Sequence, residues 1–474
     1  MRIRIKKSRL IDFIVVLFII LIASIVLFNN LGKPIIKDWD EARHAQNALE
    51  ILKTGDWIVL RYGYEPDLWN LKPPLGAWII AISFKIFGIS EFSLRLFSVL
   101  FGMGTLLVVY FFGKKISNRA VGIISALFLL TIPHFTNHHG ARTGDYDILL
   151  TFFITLSLYL FYLYYIEDNT KYLLGIGVAL GLCVLTKGIM VLFPIMIMLI
   201  FIISTKSYKK FINKKSLYSI FIFLIITLPW FIIRFFSEKG KQFLIKMIKY
   251  DILKRSSQAI EGHSGDWRFY LYHLQNNLGI FFTILFAISV FYSIYLIKKK
   301  HKAILLLIIW IAWFFLVFSI AKSKLFWYIT PIYPAISLLI FYCFEDIRQR
   351  LKISKLVFFI VFILLIFLPI TGGIEYIWES NSGNVQPTIK ILQEDIKTLD
   401  NIYIHSKFNS QSTYFYLNSY VKEKVYIYKN LDNTDIKEGD GVLIFDKDQA
   451  DLLSKDVNYE IVGQEGKGIL FVKN

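Results

Sequence analysis

Apolar residues in this chain come in long runs, of which residues 10–28 and 192–203 are the clearest. A run of about 18 apolar residues is long enough to cross a bilayer as a helix. Only helices and closed barrels satisfy their backbone in lipid, and these runs lack the alternation of a barrel strand. The pattern predicts eleven spans, starting near Leu10, Ser93, Ala120, Ile148, Tyr172, Ile189, Leu217, Leu278, Ala303, Leu325 and Lys355. The connections sort by charge. Segments 2–9, 114–119, 206–215, 298–302 and 348–355 are basic, which places them and the N-terminus in the cytoplasm. The count is consistent only if residues 75–88 do not cross. That stretch is short and carries Lys85, so it reads as a re-entrant or interfacial helix. Segments 29–92, 136–147, 186–188, 237–277 and 321–324 then fall outside, as does the tail from Gly372.

The tail changes character. Short β-like runs at 401–405, 424–428, 441–445 and 468–472 alternate with a helical or turn-like stretch at 447–454, which predicts a small extracytoplasmic α/β domain. Residues 1–371 thus form a helical membrane domain and 372–474 a second domain. The basic N-terminus followed by a long apolar run, with no small-residue cleavage site after it, reads as a retained first span.

Composition sharpens this reading. The mean hydropathy is +0.54. The net charge of +18 is uneven: the tail carries 16 acidic against 11 basic residues, the remainder 19 against 42. The basicity therefore belongs to the membrane part, where it serves topology and lipid-phosphate contact and not nucleic-acid binding. Cys183 and Cys343 both lie in apolar runs, so neither a disulfide framework nor a cysteine metal site is indicated.

Candidate chemistry gathers in the outer connections. The first reads Asp38-Trp39-Asp40-Glu41-Ala42-Arg43-His44, then Thr54-Gly55-Asp56-Trp57, then Leu71-Lys72-Pro73-Pro74. Ionisable groups beside a bilayer are costly unless they face water or a ligand. A carboxylate here can act as general base, and Lys72 on its proline-stiffened turn can meet a phosphate. The plain alternative is a solvated loop. A second cluster runs from His138 through His139, Arg142 and Asp145 to Asp147. It reads either as a metal site or as a polar loop that Asp147 caps at a helix start.

Taken in order, Asp40-Glu41-x-Arg43, Gly55-Asp56-Trp57, Lys72-Pro73-Pro74-Leu75, Glu91-Phe92-x-x-Arg95-Leu96, Asp147-x-x-x-Thr151-Phe152, Thr186-Lys187-Gly188 and Tyr328-x-x-Pro331-x-x-Pro334 resemble the dolichyl-phosphate-mannose protein mannosyltransferases. The closer likeness is to their bacterial branch, which includes the aminoarabinose transferase of lipid A, within the GT-C glycosyltransferases. The resemblance is strong from Asp38 to about Gly188, thins to Pro334 and does not reach the tail. It implies a GT-C fold and sugar transfer, with inversion, from a polyprenyl-phosphate-linked donor among membrane lipids to an acceptor it does not identify. It implies Asp40 as general base and Asp147 as the second acid of the site. Arg43, Lys72 and Tyr328 would lie near the donor phosphate, and Glu41, Arg142, Asp145, Lys187 and His263 would complete the substrate-binding set. No cofactor is required by this reading, though a divalent metal stays open. In the aminoarabinose transferase a glutamate before Lys-Pro-Pro helps hold zinc; Leu71 stands there in this chain, which counts against that zinc site.

Two other functions fit a polytopic chain. A flippase or transporter of lipid-linked sugars would show charges deep in its spans and an internal repeat, and neither is found. A sensor would carry a cytoplasmic domain, and the charge pattern leaves none.

Overall fold

The computed structural model describes residues 2–249, 263–354, 356, 360, 385–431 and 435–474. Among these, eight helices are long and apolar enough to cross a membrane. They are Ser8–Phe28, Glu91–Ile116, Asp147–Glu167, Thr170–Thr205, Ser216–Phe236, Phe269–Lys298, Lys302–Ile320 and Phe326–Arg350. The chain is a multi-pass helical membrane protein. The difference from eleven has local causes. The helices Thr170–Lys187 and Leu192–Thr205 are continuous through a 3-10 turn at Gly188–Val191 and so enter that count once, yet the chain reverses there. Lys187 pairs with Asp147 at one end of the Asp147–Glu167 helix, while Tyr172 and Lys210 meet Glu167 and the Tyr165 carbonyl at its other end, as two spans from Tyr172 and Ile189 would. The one expected at Ala120 is the helix Arg119–Leu129, whose 11 residues cover about 17 Å. The eleventh, at Lys355, and the boundary at 371/372 lie outside the described residues.

The bundle packs closely where side chains are smallest. A Cβ on Gly113 would come within 2.7 Å of Gly122 Cα. That lets the Glu91–Ile116 and Arg119–Leu129 helices approach backbone to backbone, as small residues do in membranes. Both helices are capped at their N-termini. Asn118 accepts from Ala120 and Val121 N–H, and Ser90 with Ser93 closes a capping box at the far end of the longer helix.

The basic connections meet at one end of the bundle. Asp12, in the first helix, is gripped by Lys114, Arg119 and Tyr110. Asn118 donates to Glu345, itself paired with Arg348. Lys115 pairs with Glu167, and Lys210 donates to the neighbouring Tyr165 carbonyl. His301 meets Tyr342 on the helix that ends at Arg350.

At the other end, the helix Asp40–Thr54 lies against the helix Leu75–Phe87. The latter has 13 residues, about 20 Å at 1.5 Å each, against a hydrocarbon core of roughly 30 Å. It is too short to span. A two-stranded hairpin, β1 (Arg61–Tyr62) and β2 (Glu65–Pro66), lies between these helices in sequence.

The tail holds a five-stranded sheet of β3 (Asn401–His405), β4 (Lys424–Tyr428), β5 (Gly441–Ile444), β6 (Tyr459–Glu465) and β7 (Gly468–Lys473), in the order β4-β3-β5-β7-β6. β3 is parallel to β4 and β5; β7 is antiparallel to β5 and β6. Four strands and the helix Lys447–Leu453 match the sequence pattern. β6 escaped it because it is an exposed edge strand without a buried face. The helix Gln411–Tyr420 escaped it too, since it is polar and aromatic throughout. This helix docks the tail: Tyr416 Oη accepts from Ile36 N–H at 3.0 Å and donates to Glu91 at 2.7 Å, and Ser412 N–H donates to Asp38 at 2.8 Å.

The short Leu75–Phe87 helix and the gathered basic loops lead to a labelling prediction. In a background with Cys183 and Cys343 replaced, Ile89→Cys is expected to react with an impermeant thiol reagent added to intact cells. Ser117→Cys is expected to react only after lysis. Labelling of Ser117→Cys from outside would overturn the topology.

Candidate active site

The connections at the end of the bundle opposite the basic loops frame a cavity of about 840 Å³. Its polar wall comes from the start of the Asp40–Thr54 helix, the Lys72 turn, the 138–147 segment and the end of the Thr170–Lys187 helix. Ile189, Met190, Phe193, Val317 and Phe318 form an apolar flank.

Asp40 is the first residue of its helix, and its half-buried carboxylate opens into the cavity. Lys72 Nζ lies 3.2 Å from Asp40 Oδ1 and 3.2 Å from His44 Nε2. The His44 tautomer follows from its other side. Nδ1 lies 3.1 Å from the Gly144 carbonyl, which can only accept, so Nδ1 carries the hydrogen and Nε2 is left to accept from Lys72. Burial, reinforced by the Lys72 ammonium, pushes the His44 pKa well below its ordinary value, so the ring stays neutral. Its ring stacks on Tyr146 at 3.7 Å. Tyr146 in turn occupies the place where a Cβ at position 76 would go, 2.3 Å away, which explains the glycine after Lys72-Pro-Pro-Leu. Burial alone would raise Asp40, but Lys72 and then the other nearby cations hold it far below the usual carboxylate range.

A second ion cluster faces the first. Lys187 Nζ lies 2.7 Å from Asp147 Oδ1, and His139 Nδ1 lies 3.3 Å from Asp147 and 3.4 Å from Asp145. His139 stacks on Trp327 at 3.8 Å. Burial opposes its charge, yet the carboxylates of Asp145, Asp147 and Asp40 outweigh burial and raise its pKa. Asp145 goes the other way. Burial is the main cause, partly offset by His139, and the Asp40, Glu41 and Asp147 carboxylates add to it, pushing its pKa up to about 6.

Backbone strain collects at the same place. Trp39, directly before Asp40, has φ 72 and ψ −123, and His139 has φ 52. For a residue with a large side chain such a conformation costs on the order of 1–3 kcal/mol.

Of the residues singled out in the sequence, Asp40, Lys72, Asp145, Asp147, Lys187, His263 and Tyr328 line this cavity together. Glu41 reaches it too, but its carboxylate is spent on Arg95 at 2.7 and 3.1 Å and on the N–H groups of Lys37 and Gly144. Two residues stand apart. Arg43 makes a bidentate pair with Asp67 at 2.8 and 2.9 Å and lies between the rings of Tyr62 and Trp69. Arg142 is buried and donates to the Asn29 carbonyl. Both are absent from the cavity wall because nearer partners hold them. His44 was not recognised from sequence; its position one helical turn after Asp40 is the signal that could have found it.

Asp40, His139 and Asp145 each bring one donor atom to within 4.8 Å of the others. One imidazole and two carboxylates suit a divalent cation, which would compete with a proton for His139 and with Lys72 for Asp40. Position 71 offers no ligand, since Leu71 packs with Leu185, Trp230 and Phe243.

Asp145 sets a pH dependence. Between its ordinary 3.8 and about 6 the folded chain binds a proton that the unfolded chain has released. Its contribution to stability therefore falls as pH rises through that window. Asp145→Asn is expected to raise Tm at pH 7.5 in a detergent-solubilised melt, with the gain shrinking toward pH 4.5. A variant less stable than the parent at pH 7.5 would mean that the His139 pair outweighs burial.

Known proteins resemble this chain in sequence and in fold. The profile of the family "Dolichyl-phosphate-mannose-protein mannosyltransferase" matches residues 71–233. An uncharacterized protein of Aquifex aeolicus (strain VF5) is 30% identical over 462 residues, covering 96% of this chain and 98% of its own length. The undecaprenyl phosphate-alpha-4-amino-4-deoxy-L-arabinose arabinosyl transferase of Yersinia pestis (strain Pestoides F) is 27% identical over 331 residues, 67% of this chain. The matched part spans 58% of the length of that transferase. In three dimensions, the crystal structure of ArnT from Cupriavidus metallidurans bound to undecaprenyl phosphate superposes with a TM-score of 0.75 at 16% identity, over 96% of this chain and 97% of that one. With the order of motifs and the fold in agreement, the chain belongs to the dolichyl-phosphate-mannose-protein mannosyltransferase family of the GT-C type, on the side of the aminoarabinose transferases.

Proposed function

We propose that this protein is an inverting glycosyltransferase that takes a sugar from a polyprenyl-phosphate donor at the outer face of the cytoplasmic membrane. The observation that carries this reading is the pairing of Lys72 with Asp40 and of Lys187 with Asp147 in one cavity with an apolar flank. Two ammonium groups suit a phosphate, and the flank formed by Ile189, Met190, Phe193, Val317 and Phe318 suits a polyprenyl chain. Family membership and the Yersinia relative support the donor class.

Lys72 couples donor binding to base strength. Without donor it neutralises Asp40, which makes that carboxylate a poor base. A donor phosphate draws the ammonium toward itself, and Asp40 gains proton affinity as its partner leaves. The acceptor hydroxyl then gives its proton to Asp40 while its oxygen bonds to the anomeric carbon. The bond from that carbon to the phosphate oxygen breaks on the opposite face, and the electron pair leaves with the polyprenyl phosphate. The second negative charge develops beside Lys72, Lys187 and Tyr328, where fixed cations and donors lower the barrier. His263 lines the same space. A divalent cation held by Asp40, His139 and Asp145 would add positive charge at the phosphate; none of these steps depends on it.

Arg43 and Arg142 act from behind the wall in this reading. Arg43 stiffens the first connection through Asp67, and Arg142 ties the second to the Asn29 carbonyl.

The test is release of undecaprenyl phosphate from a panel of undecaprenyl-phosphate sugars by the full chain in nanodiscs. Asp40→Asn is expected to insert normally, bind donor and lose turnover. Lys72→Ala is expected to weaken donor binding roughly tenfold to over a hundredfold, the loss of one charge-assisted contact worth about 1.5–3 kcal/mol. Near-parental turnover in Asp40→Asn would remove that residue from the mechanism. Unchanged donor affinity in Lys72→Ala would mean that the phosphate site is elsewhere.

A further inference from the structure

Among the described residues three tryptophans line the cavity; Trp327 stacks on His139, and the reaction scheme leaves the other two unused. Trp39 is 63% exposed and Trp69 43%, and both line the cavity on the side of Asp40. A large indole is not held out toward water by accident when its backbone is strained, and Trp39 sits at φ 72, a conformation that glycine adopts freely.

Trp69 is fixed by its surroundings. Arg43 lies over its ring at 4.5 Å and over Tyr62 at 4.2 Å, and the bidentate pair with Asp67 holds the guanidinium there. Asp67 also accepts from Trp69 N–H at 2.9 Å. Trp39 stands at the N-cap of the Asp40–Thr54 helix, where its carbonyl accepts the helix's first backbone bond, from Arg43 N–H at 3.0 Å, and it lines the same cavity. One face of Trp69 is therefore backed by a cation, while the residue still lines the cavity. Beside it, Asn70 is 2% exposed, lines the cavity and has a side-chain oxygen with no hydrogen-bond partner among the described residues.

We propose that Trp39 and Trp69, with Asn70, form a subsite beside Asp40 that receives a pyranose ring of the acceptor, so that the acceptor is a saccharide. The inference rests on the reading of Asp40 as the base, since a group adjoining the base adjoins the acceptor. The chemistry is that of sugar recognition. A pyranose turns a face of C–H hydrogens toward the negative face of an aromatic ring, and its hydroxyls require buried acceptors such as the Asn70 amide oxygen. The apolar flank that takes the donor lipid involves neither tryptophan, so the two ligands are kept apart.

Saturation-transfer NMR on the full chain in nanodiscs tests this, with chitobiose, lactose, maltose and mannobiose as saccharide probes and a serine-containing pentapeptide as the contrast. Ring C–H protons of at least one disaccharide are expected to receive saturation. That signal is expected to fall roughly fivefold to tenfold in Trp39→Ala and in Trp69→Ala, the range of one aromatic stacking contact, and to survive in Trp39→Phe and Trp69→Phe. Undecaprenyl phosphate affinity is expected to stay within about twofold in all four variants, as the donor side is untouched. Trp39→Gly separates a ligand platform from a packing residue. Because glycine relieves the strained φ, its Tm is expected to match or exceed that of the parent while saccharide saturation is lost. The inference is overturned if no disaccharide is saturated, if both alanine variants keep the signal, if the peptide gives the tryptophan-dependent signal instead, or if Trp39→Gly lowers Tm. Failure of the parent chain to bind undecaprenyl phosphate would strike the donor reading alone, because the saccharide measurements contain no donor.

Discussion

The site hangs on one buried ion pair. Arg95 and Glu41 are each about 3% exposed and meet through two hydrogen bonds. The guanidinium has five N–H groups, and the remaining contacts go to the carbonyls of Leu31, Pro34 and Ile35. One side chain on the Glu91–Ile116 helix thus binds the start of the Asp40–Thr54 helix and the segment leading into it. Glu41 also accepts from Gly144 N–H, which brings the 138–147 segment to the same point. Removing either partner would strand a charge in the interior at a cost of about 3–5 kcal/mol. Asp40 is next to Glu41 in the chain, so its placement is inherited from this pair.

Around that anchor the ionisable groups divide by what they can reach. Lys72 is shared between a carboxylate and a neutral imidazole, and Lys187 belongs to Asp147. Both residues line the cavity. The three arginines near the site are held away from the cavity. Arg95 serves Glu41, Arg43 serves Asp67, and Arg142 is buried behind the wall. The distinction has a chemical basis, because a planar guanidinium suits fixed bidentate struts while a flexible ammonium can change partners.

The tail is tied into the same construction. Tyr416 bridges Ile36 and Glu91, Lys390 also pairs with Glu91, and Ser412 holds Asp38 two residues before Asp40. Lys53 and Tyr64 reach the end of the docking helix at Asn418, and Tyr62 stacks on Tyr414 at 5.5 Å. Among the described residues none of the sheet lines the cavity, and the tail meets the site only through the segment it holds.

Much of this protein was readable along the chain. Long apolar runs mark spanning helices because lipid offers the backbone no partner. The basic loops predicted one end of the bundle, and their contacts through Asp12, Glu345 and Glu167 gather them there. Asp40 and Lys72 stood out as charges beside an apolar run, where charge is costly without a purpose, and the order of the motifs added Asp147 and Lys187. The sequence could not say which charges face the cavity. Arg43 and Lys72 looked alike as cations in the same outer connection, yet Arg43 is bound to Asp67, 24 residues on, and Lys72 is not. Nor could it place His44, whose role needs Gly144 one hundred residues later, or the docking helix Gln411–Tyr420, whose partners at Ile36 and Asp38 lie more than 370 residues away. Hydropathy and charge are properties of a residue and its neighbours in the chain, and they survive in one dimension. Partner choice depends on distances that exist only once the segments have packed, and only the tertiary structure decided it.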